Sequence, residues 1–297
     1  MATNTPFGQR LGLVLEGGAM RGIYTAGVLD VFLEAGIMPD VVVGVSAGAL
    51  HGCSYVAGQK GRSIRYYRKY RSDKHFMGLY SLLTTGDVVG TKFCYEDIPL
   101  RLDPFDEAAF EKAPVDFYVT VTNVRTGKPE YILCDELKVG SKMDVIRAGA
   151  SMPLCSKMVE WNGNLYLDGG GLFQVSGGLG QHYNAFAAAE IFHFGIGDAV
   201  AHAGYLKQPA AMAPFEAMYR KYPAFVEAMR GRDQMYNAEV CAVEQAAKQG
   251  DVFLIRPSKL LHVGRMEHDI EVLNAQYELG RQDARNQMDA MREWMER

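Results

Sequence analysis

Apolar residues crowd together at Leu11–Leu15 and again at Val41–Val45. Between these runs, Ile23, Val28, Leu29, Phe32 and Leu33 recur at three- to four-residue spacing before Gly36. The runs are too short for helices and are apolar throughout, so they predict strands buried on both faces. The interval between them predicts an amphipathic helix that the glycine ends. Strand, helix, strand within about forty residues is a βαβ unit, which requires a parallel pair and a right-handed crossover. Beyond the second strand, Ala47, Gly48, Ala49, Gly52, Ala57 and Gly58 give the next helix a surface of small side chains that lets it lie close to the sheet.

Further along, the pattern changes character several times. Arg62–Lys74 interleaves Arg62, Arg65, Arg68, Lys69, Arg71 and Lys74 with Tyr66, Tyr67 and Tyr70. It reads either as a basic aromatic surface for lipid head groups or as an amphipathic helix with half-buried tyrosines and solvated cations. Val115–Thr122 is strand-like, Arg125–Lys128 turns, and Tyr131–Leu133 returns, predicting a hairpin. A second hairpin follows at Trp161-Asn162-Gly163-Asn164, where Asn-Gly suits a type I′ turn, and its return strand Leu165–Leu167 delivers Asp168 into Gly169-Gly170-Gly171. From Leu172 to Gly204 only Ala185–Glu190 and Ile191–Ile196 suggest a helix and a strand. Helical periodicity resumes at Phe215, breaks at a short strand, Val252–Ile255, and ends in a charged helix from about Glu267 to Glu296. There are no repeats, low-complexity tracts or linkers.

Composition narrows the class. The 297 residues are 48% hydrophobic, enough for a buried core. A net charge of −4 and a pI near 6.0 give no global attraction to nucleic acid, so no nucleic-acid partner is expected. Cys53, Cys94, Cys134, Cys155 and Cys241 are scattered and form no CxxC pair, which argues against a disulfide framework or a zinc site. The first apolar run is too short for a signal h-region, and no stretch approaches the ~20 apolar residues of a membrane span. A cytoplasmic protein, with any membrane contact peripheral, is the expectation.

Two glycine-rich turns carry the candidate chemistry. Gly44-Val45-Ser46-Ala47-Gly48 places a serine between a strand and a helix, in a sharp turn that exposes its hydroxyl at the helix N-terminus. Ser46 is therefore the candidate nucleophile. Glu16-Gly17-Gly18-Ala19-Met20-Arg21-Gly22 offers backbone N–H groups for the oxyanion that an attacking serine creates. The same turn is not a P-loop, because Ile23-Tyr24 stands where Lys and Ser or Thr belong. As a dinucleotide loop it survives only in degraded form, Gly17-x-Ala19-x-x-Gly22 with Asp40 as the ribose acid. A base for the serine is less readable. His51 lies in the elbow helix, His75, His262 and His268 sit in polar surroundings, and His182, His193 and His202 fall in or beside the weakly patterned segment. None carries a motif. Asp168 stands out instead, at a strand end before three glycines, where it is either a base or a simple turn cap.

Together GGAMRG, GVSAG and DGG, in this order and spacing, resemble the patatin-like phospholipase family, as do Arg147–Leu154 and Arg256-Pro257-Ser258. The likeness covers most of Gly12–Glu296. It implies an α/β protein with a three-layer α/β/α patatin-like fold around a central, mostly parallel sheet. An acyl hydrolase domain would occupy residues 8–265, and a C-terminal helix, residues 266–297, would pack on it. It also implies Ser46 as nucleophile, Asp168 as base, and Gly17, Gly18 and Ala19 as oxyanion loop with Arg21 steadying it. No cofactor or metal is called for, and the expected partner is a lipid or other acyl ester substrate. Two departures stand out. Alanine at 19 replaces the family's third glycine, and a positive φ there would cost roughly 1 kcal/mol. Residues 172–203 also leave the family pattern. They motivate two rival readings, a histidine-assisted serine esterase using His182, His193 or His202, and a non-catalytic acyl-binding module.

Overall fold

The structure is a computed structural model that describes residues 11–171, 191–194, 209–259 and 263–296. Its centre is one mixed, mostly parallel sheet of eight strands. The first apolar run forms β1, Gly12–Leu15, and the second forms β2, Val41–Val45. They pair in parallel from Gly12 opposite Val41 to Leu15 opposite Gly44, with α1, Ile23–Glu34, as the crossover. β3, Asp116–Asn123, lies parallel to β2 on its other side. β4, Lys128–Leu133, and β6, Asn164–Asp168, both run antiparallel to β3, and β5, Val159–Trp161, pairs with β6. On the far side, β7, Ile191–Phe194, adds in parallel to β1, and β8, Leu254–Ile255, to β7. Both expected hairpins are present. In the second, Asn162 and Gly163 both have positive φ, as a type I′ turn demands.

Alternation along the strands separates two apolar faces. Leu13, Leu15, Val42, Phe117, Val119 and Val121 point into the main core. Val14, Val41 and Val43 point the other way, with Tyr118 and Tyr131 packed around them. Sheet and flanking helices make a three-layer α/β/α fold. The main core is covered by α1, by α2, Ala47–Val56, by α6, Lys142–Gly149, and by the terminal helix α10, Ile270–Met295. Asp269 caps α10 by accepting the Glu271 N–H at 2.9 Å, so the helix begins three residues later than its charge pattern suggested. Before α6 come α3, Arg62–Tyr70, α4, Leu79–Thr85, a π-helical segment, Phe93–Leu102, and α5, Glu107–Lys112. After β6 come α7, Pro209–Met218, α8, Pro223–Arg230, and α9, Arg232–Gln249.

The α1–α10 contact is unusually close, and its chemistry explains why. A methyl on Gly27 would overlap the Tyr277 carbonyl oxygen, and one on Gly280 would overlap the Tyr24 carbonyl oxygen. On either side of this crossing a tyrosine meets an aspartate. Tyr24 donates to Asp283 at 3.1 Å and Tyr277 to Asp30 at 2.5 Å. The pairs run in opposite order along the two helices, so these are antiparallel. Each buried carboxylate has a further partner, Ser258 N–H for Asp283 and Gly61 N–H for Asp30, so neither is left unsatisfied.

Helix α3 corrects one expectation. Tyr66, Tyr67 and Tyr70 are fully inside rather than half-buried, and not all the cations are solvated. Arg62 is buried, donating to Ser54 Oγ at 3.2 Å and to the Asp103 carbonyl at 2.9 Å. Arg71, just beyond the helix, donates to the Glu267 and Met266 carbonyls at 2.7 and 3.2 Å. The hydrophobic period located the helix but could not reveal carbonyl and carboxylate partners supplied by remote loops. In the weakly patterned segment the expected strand is present as β7, Ile191–Phe194, whereas Ala185–Glu190 lies outside the described residues. Among the described residues no helix is long and apolar enough to cross a membrane.

Candidate active site

Three strand ends converge on one point. β2 runs into α2 through Ser46, whose backbone sits at φ 51, ψ −122, well away from the ordinary L-residue basins. The turn is tight enough that Gly17, arriving from the end of β1, packs against it. A Cβ on Gly17 would lie 2.7 Å from the Ser46 Cβ and 3.0 Å from the Val45 carbonyl oxygen. The close approach needs glycine at 17. Ala19, two residues on, also has φ 51, so the alanine that replaces a glycine of the family pattern does occupy the left-handed region. The Arg21 N–H donates to the Gly18 carbonyl at 3.1 Å, closing the turn that leads into α1.

Asp168 arrives from the end of β6, opposite Val121 of β3. Its backbone is fixed on both sides, the N–H donating to the Ser151 carbonyl at 2.8 Å and the carbonyl accepting the Thr122 hydroxyl at 2.9 Å. The Ser46 hydroxyl donates to Asp168 Oδ2 at 2.6 Å, while Oδ1 accepts the Gly170 N–H at 2.7 Å. Both residues are buried. Burial pushes the Asp168 carboxyl above the usual carboxylate range. The Ser46 hydroxyl, the Gly170 N–H, and the charges of Arg232 and Arg265 pull partly the other way. The result is a carboxylate more basic than one in water, already bonded to the hydroxyl it would deprotonate.

His51 is bonded away from Ser46. It is fully buried on α2, with Nδ1 3.0 Å from Ser63 Oγ, and burial pushes its ring pKa down to about 4. Such an imidazole is held neutral, as a structural residue. His182, His202 and His262 lie outside the described residues. His75 and His268 are exposed on the surface, His75 bonded to Asp73 at 2.8 Å.

Two residues without any local motif brace the site from α9. Tyr236 donates to Glu16, the residue before Gly17, at 2.7 Å, and the charges of Arg232 and Arg21 face that phenol. Arg232 Nε donates to the Gly170 carbonyl at 3.1 Å. One helix thus holds the glycine loop and the DGG turn together. The only sequence signal was their place on a helix, with nothing to mark the partners. Beside Ser46 and Ala19 lies a cavity of about 100 Å³, walled by Leu50, Met77, Val89, Ile98, Met143 and Ile146 among others. A strained elbow serine on a buried carboxylate, opening on an apolar cavity within an α/β/α sandwich, defines a narrow class of proteins.

Comparison with known proteins agrees. The patatin-like phospholipase family model matches residues 13–176, more than half of the chain, and the chain belongs to that family. A domain of unknown function, DUF6363, matches residues 222–296, which include α9 and α10. The uncharacterized protein YjjU of Escherichia coli is 31% identical over 167 residues, 54% of this chain and 45% of that protein. Lysophospholipase nte1 of Aspergillus terreus is 28% identical over 195 residues, 64% of this chain and 12% of that protein. The nte1 lysophospholipase of Aspergillus oryzae is 27% identical over the same length. The matches thus span less than half of each of these relatives.

Proposed function

We propose that this protein is a serine acyl hydrolase that cleaves fatty acyl esters through a Ser46–Asp168 dyad. The observation that carries the proposal is the 2.6 Å bond between the Ser46 hydroxyl and a buried, fixed Asp168 carboxylate. As the Ser46 oxygen attacks the ester carbonyl, its proton passes to Asp168. Backbone N–H groups of Gly17, Gly18 and Ala19 stabilise the tetrahedral oxyanion, with Arg21 steadying their loop. The carbon–oxygen bond to the alcohol then breaks, the alcohol leaves with the Asp168 proton, and Ser46 is left acylated. Water then attacks the acyl carbonyl and gives a proton to Asp168, the bond to Ser46 breaks, Ser46 takes that proton back, and the acid leaves. The apolar cavity beside Ser46 suits a fatty acyl chain, and the lysophospholipase names of the Aspergillus relatives support a lipid ester.

The test is hydrolysis of a fatty acyl p-nitrophenyl ester by purified protein. Ser46→Ala should abolish turnover, and Asp168→Asn should lower kcat/KM by at least ~10²-fold, in the range that loss of a general base produces. Because the base must be unprotonated, activity should fall as pH drops through an apparent pKa above the carboxylate's ordinary 3.8. Asp168→Asn retaining activity within about tenfold would refute the dyad.

A further inference from the structure

Helix α4 is built inside out. Of its seven residues only Ser81 is buried, donating to the Asp87 carbonyl at 2.8 Å. Leu79 and Leu83, one turn apart on the same face, are 69% and 77% exposed, and Leu82 and Tyr80 are in solvent as well. A surface helix ordinarily turns its apolar stripe to the core. This one is nonetheless firmly held. Thr85 Oγ1 donates to the Ser81 carbonyl at 2.7 Å, and the Gly78 N–H to the Val88 carbonyl at 2.8 Å. Asp87 accepts the Lys157 N–H at 2.5 Å and the Thr91 hydroxyl at 3.1 Å. Met77 and Val89 close the base as an antiparallel bridge. Residues 77–89 are therefore a closed finger with a hydrogen-bonded polar stem and an apolar tip.

Its surroundings point to one kind of partner. The neighbouring loop, whose Cys155 carbonyl accepts the Val88 N–H, exposes Leu154 at φ 67, a conformation strained for leucine. Lys74 Nζ lies 4.6 Å from the centre of the Tyr80 ring, and the stem of Lys157 lies against Gly86 at the end of α4. Both lysines are exposed, whereas Asp87 is buried and saturated and Asp73 is engaged by His75. Exposed leucines flanked by two lysines match the two layers of an anionic membrane surface, acyl chains below and phosphates above. At the finger's base, Met77 and Val89 wall the cavity that Ser46 lines.

We propose that residues 77–89 form a lipid-contact finger. Leu79, Leu82, Leu83 and Leu154 enter the interface of an anionic bilayer, and Lys74 and Lys157 meet its head groups. The bilayer is thereby brought against the walls of the Ser46 cavity. The inference rests on the acyl hydrolase reading of that cavity, and it assigns membrane contact to α4 rather than to α3, whose tyrosines are inside.

The test is flotation with vesicles of phosphatidylcholine and phosphatidylglycerol, comparing the wild type with Leu79→Ser/Leu83→Ser. Sedimentation velocity and fluorophosphonate labelling of Ser46 are run on both. The wild type should float, and the double variant should partition roughly tenfold or more weakly while Ser46 labels at the wild-type rate. A variant that floats like the wild type, or a wild type that does not float, overturns the proposal. So does a wild-type dimer that the variant splits with vesicle binding unchanged, because the face then belongs to a second copy of the chain. Labelling absent from both proteins would sink the hydrolase reading instead, and the partition ratio would still judge the finger.

Discussion

Ser46 and Ala19 both line the cavity and share a φ of 51, but the strain differs in meaning. At Ser46 the turn aims the hydroxyl at Asp168, so its cost of about 1–3 kcal/mol goes with the proposed dyad. At Ala19 the proposed role falls to the backbone alone, and the methyl adds a left-handed penalty that glycine would not carry. Ala19→Gly should therefore raise stability by about 0.5 kcal/mol once the greater chain entropy of glycine is subtracted, read as a higher Tm with ester turnover retained. A lower Tm would mean that the methyl makes packing contacts worth more than the strain. At this scale the site was legible where glycines constrain the backbone. The elbow spelling singled out Ser46 as a candidate, whereas the DGG turn left Asp168 as base or turn cap until the family resemblance chose between them. Tyr236 and Arg232 could not be, because their partners Glu16 and Gly170 lie 220 and 62 residues away in the chain.

Among the elements, the α1–α10 crossing is the most tightly specified. Two glycines let the backbones touch, and a Tyr–Asp bond on each side sets the register. Gly280→Ala drives a methyl into the Tyr24 carbonyl and should lower unfolding stability by about 2–3 kcal/mol, as overpacking does. Urea denaturation checks this, and an unchanged midpoint would mean that the helices separate freely. α10 was legible from its charged periodicity, but its docking face was not, since glycine in a helix reads equally as weakness or as close contact. α3 was legible as a helix, yet the burial of Arg62 and Arg71 depends on carbonyls supplied by other loops. α4 carried a signal that went unread. Leu79-Tyr80-Ser81-Leu82-Leu83 has too few polar residues to make a solvent face, which either buries a helix entirely or marks a surface that meets something apolar.

Over the whole molecule, the βαβ start was readable because consecutive elements are neighbours in space. Beyond it the two hairpins could be read, but not how the sheet is assembled from them, since β7 joins β1 across a separation of more than 150 residues and β3 pairs with β6 of the later hairpin. Two family models meet on this one body. The patatin-like stretch supplies Ser46, Asp168 and the glycine loop, and the stretch matching the domain of unknown function supplies the α9 brace and the α10 cover. All of this converges on a single chemical claim, that Ser46 is a working nucleophile. Incubating the purified protein with a fluorophosphonate and locating the adduct by mass spectrometry tests it directly. One adduct is expected, on Ser46, lost in Ser46→Ala and slowed in Asp168→Asn. Folded wild-type protein that stays unlabelled, or that is labelled at another residue, would contradict it.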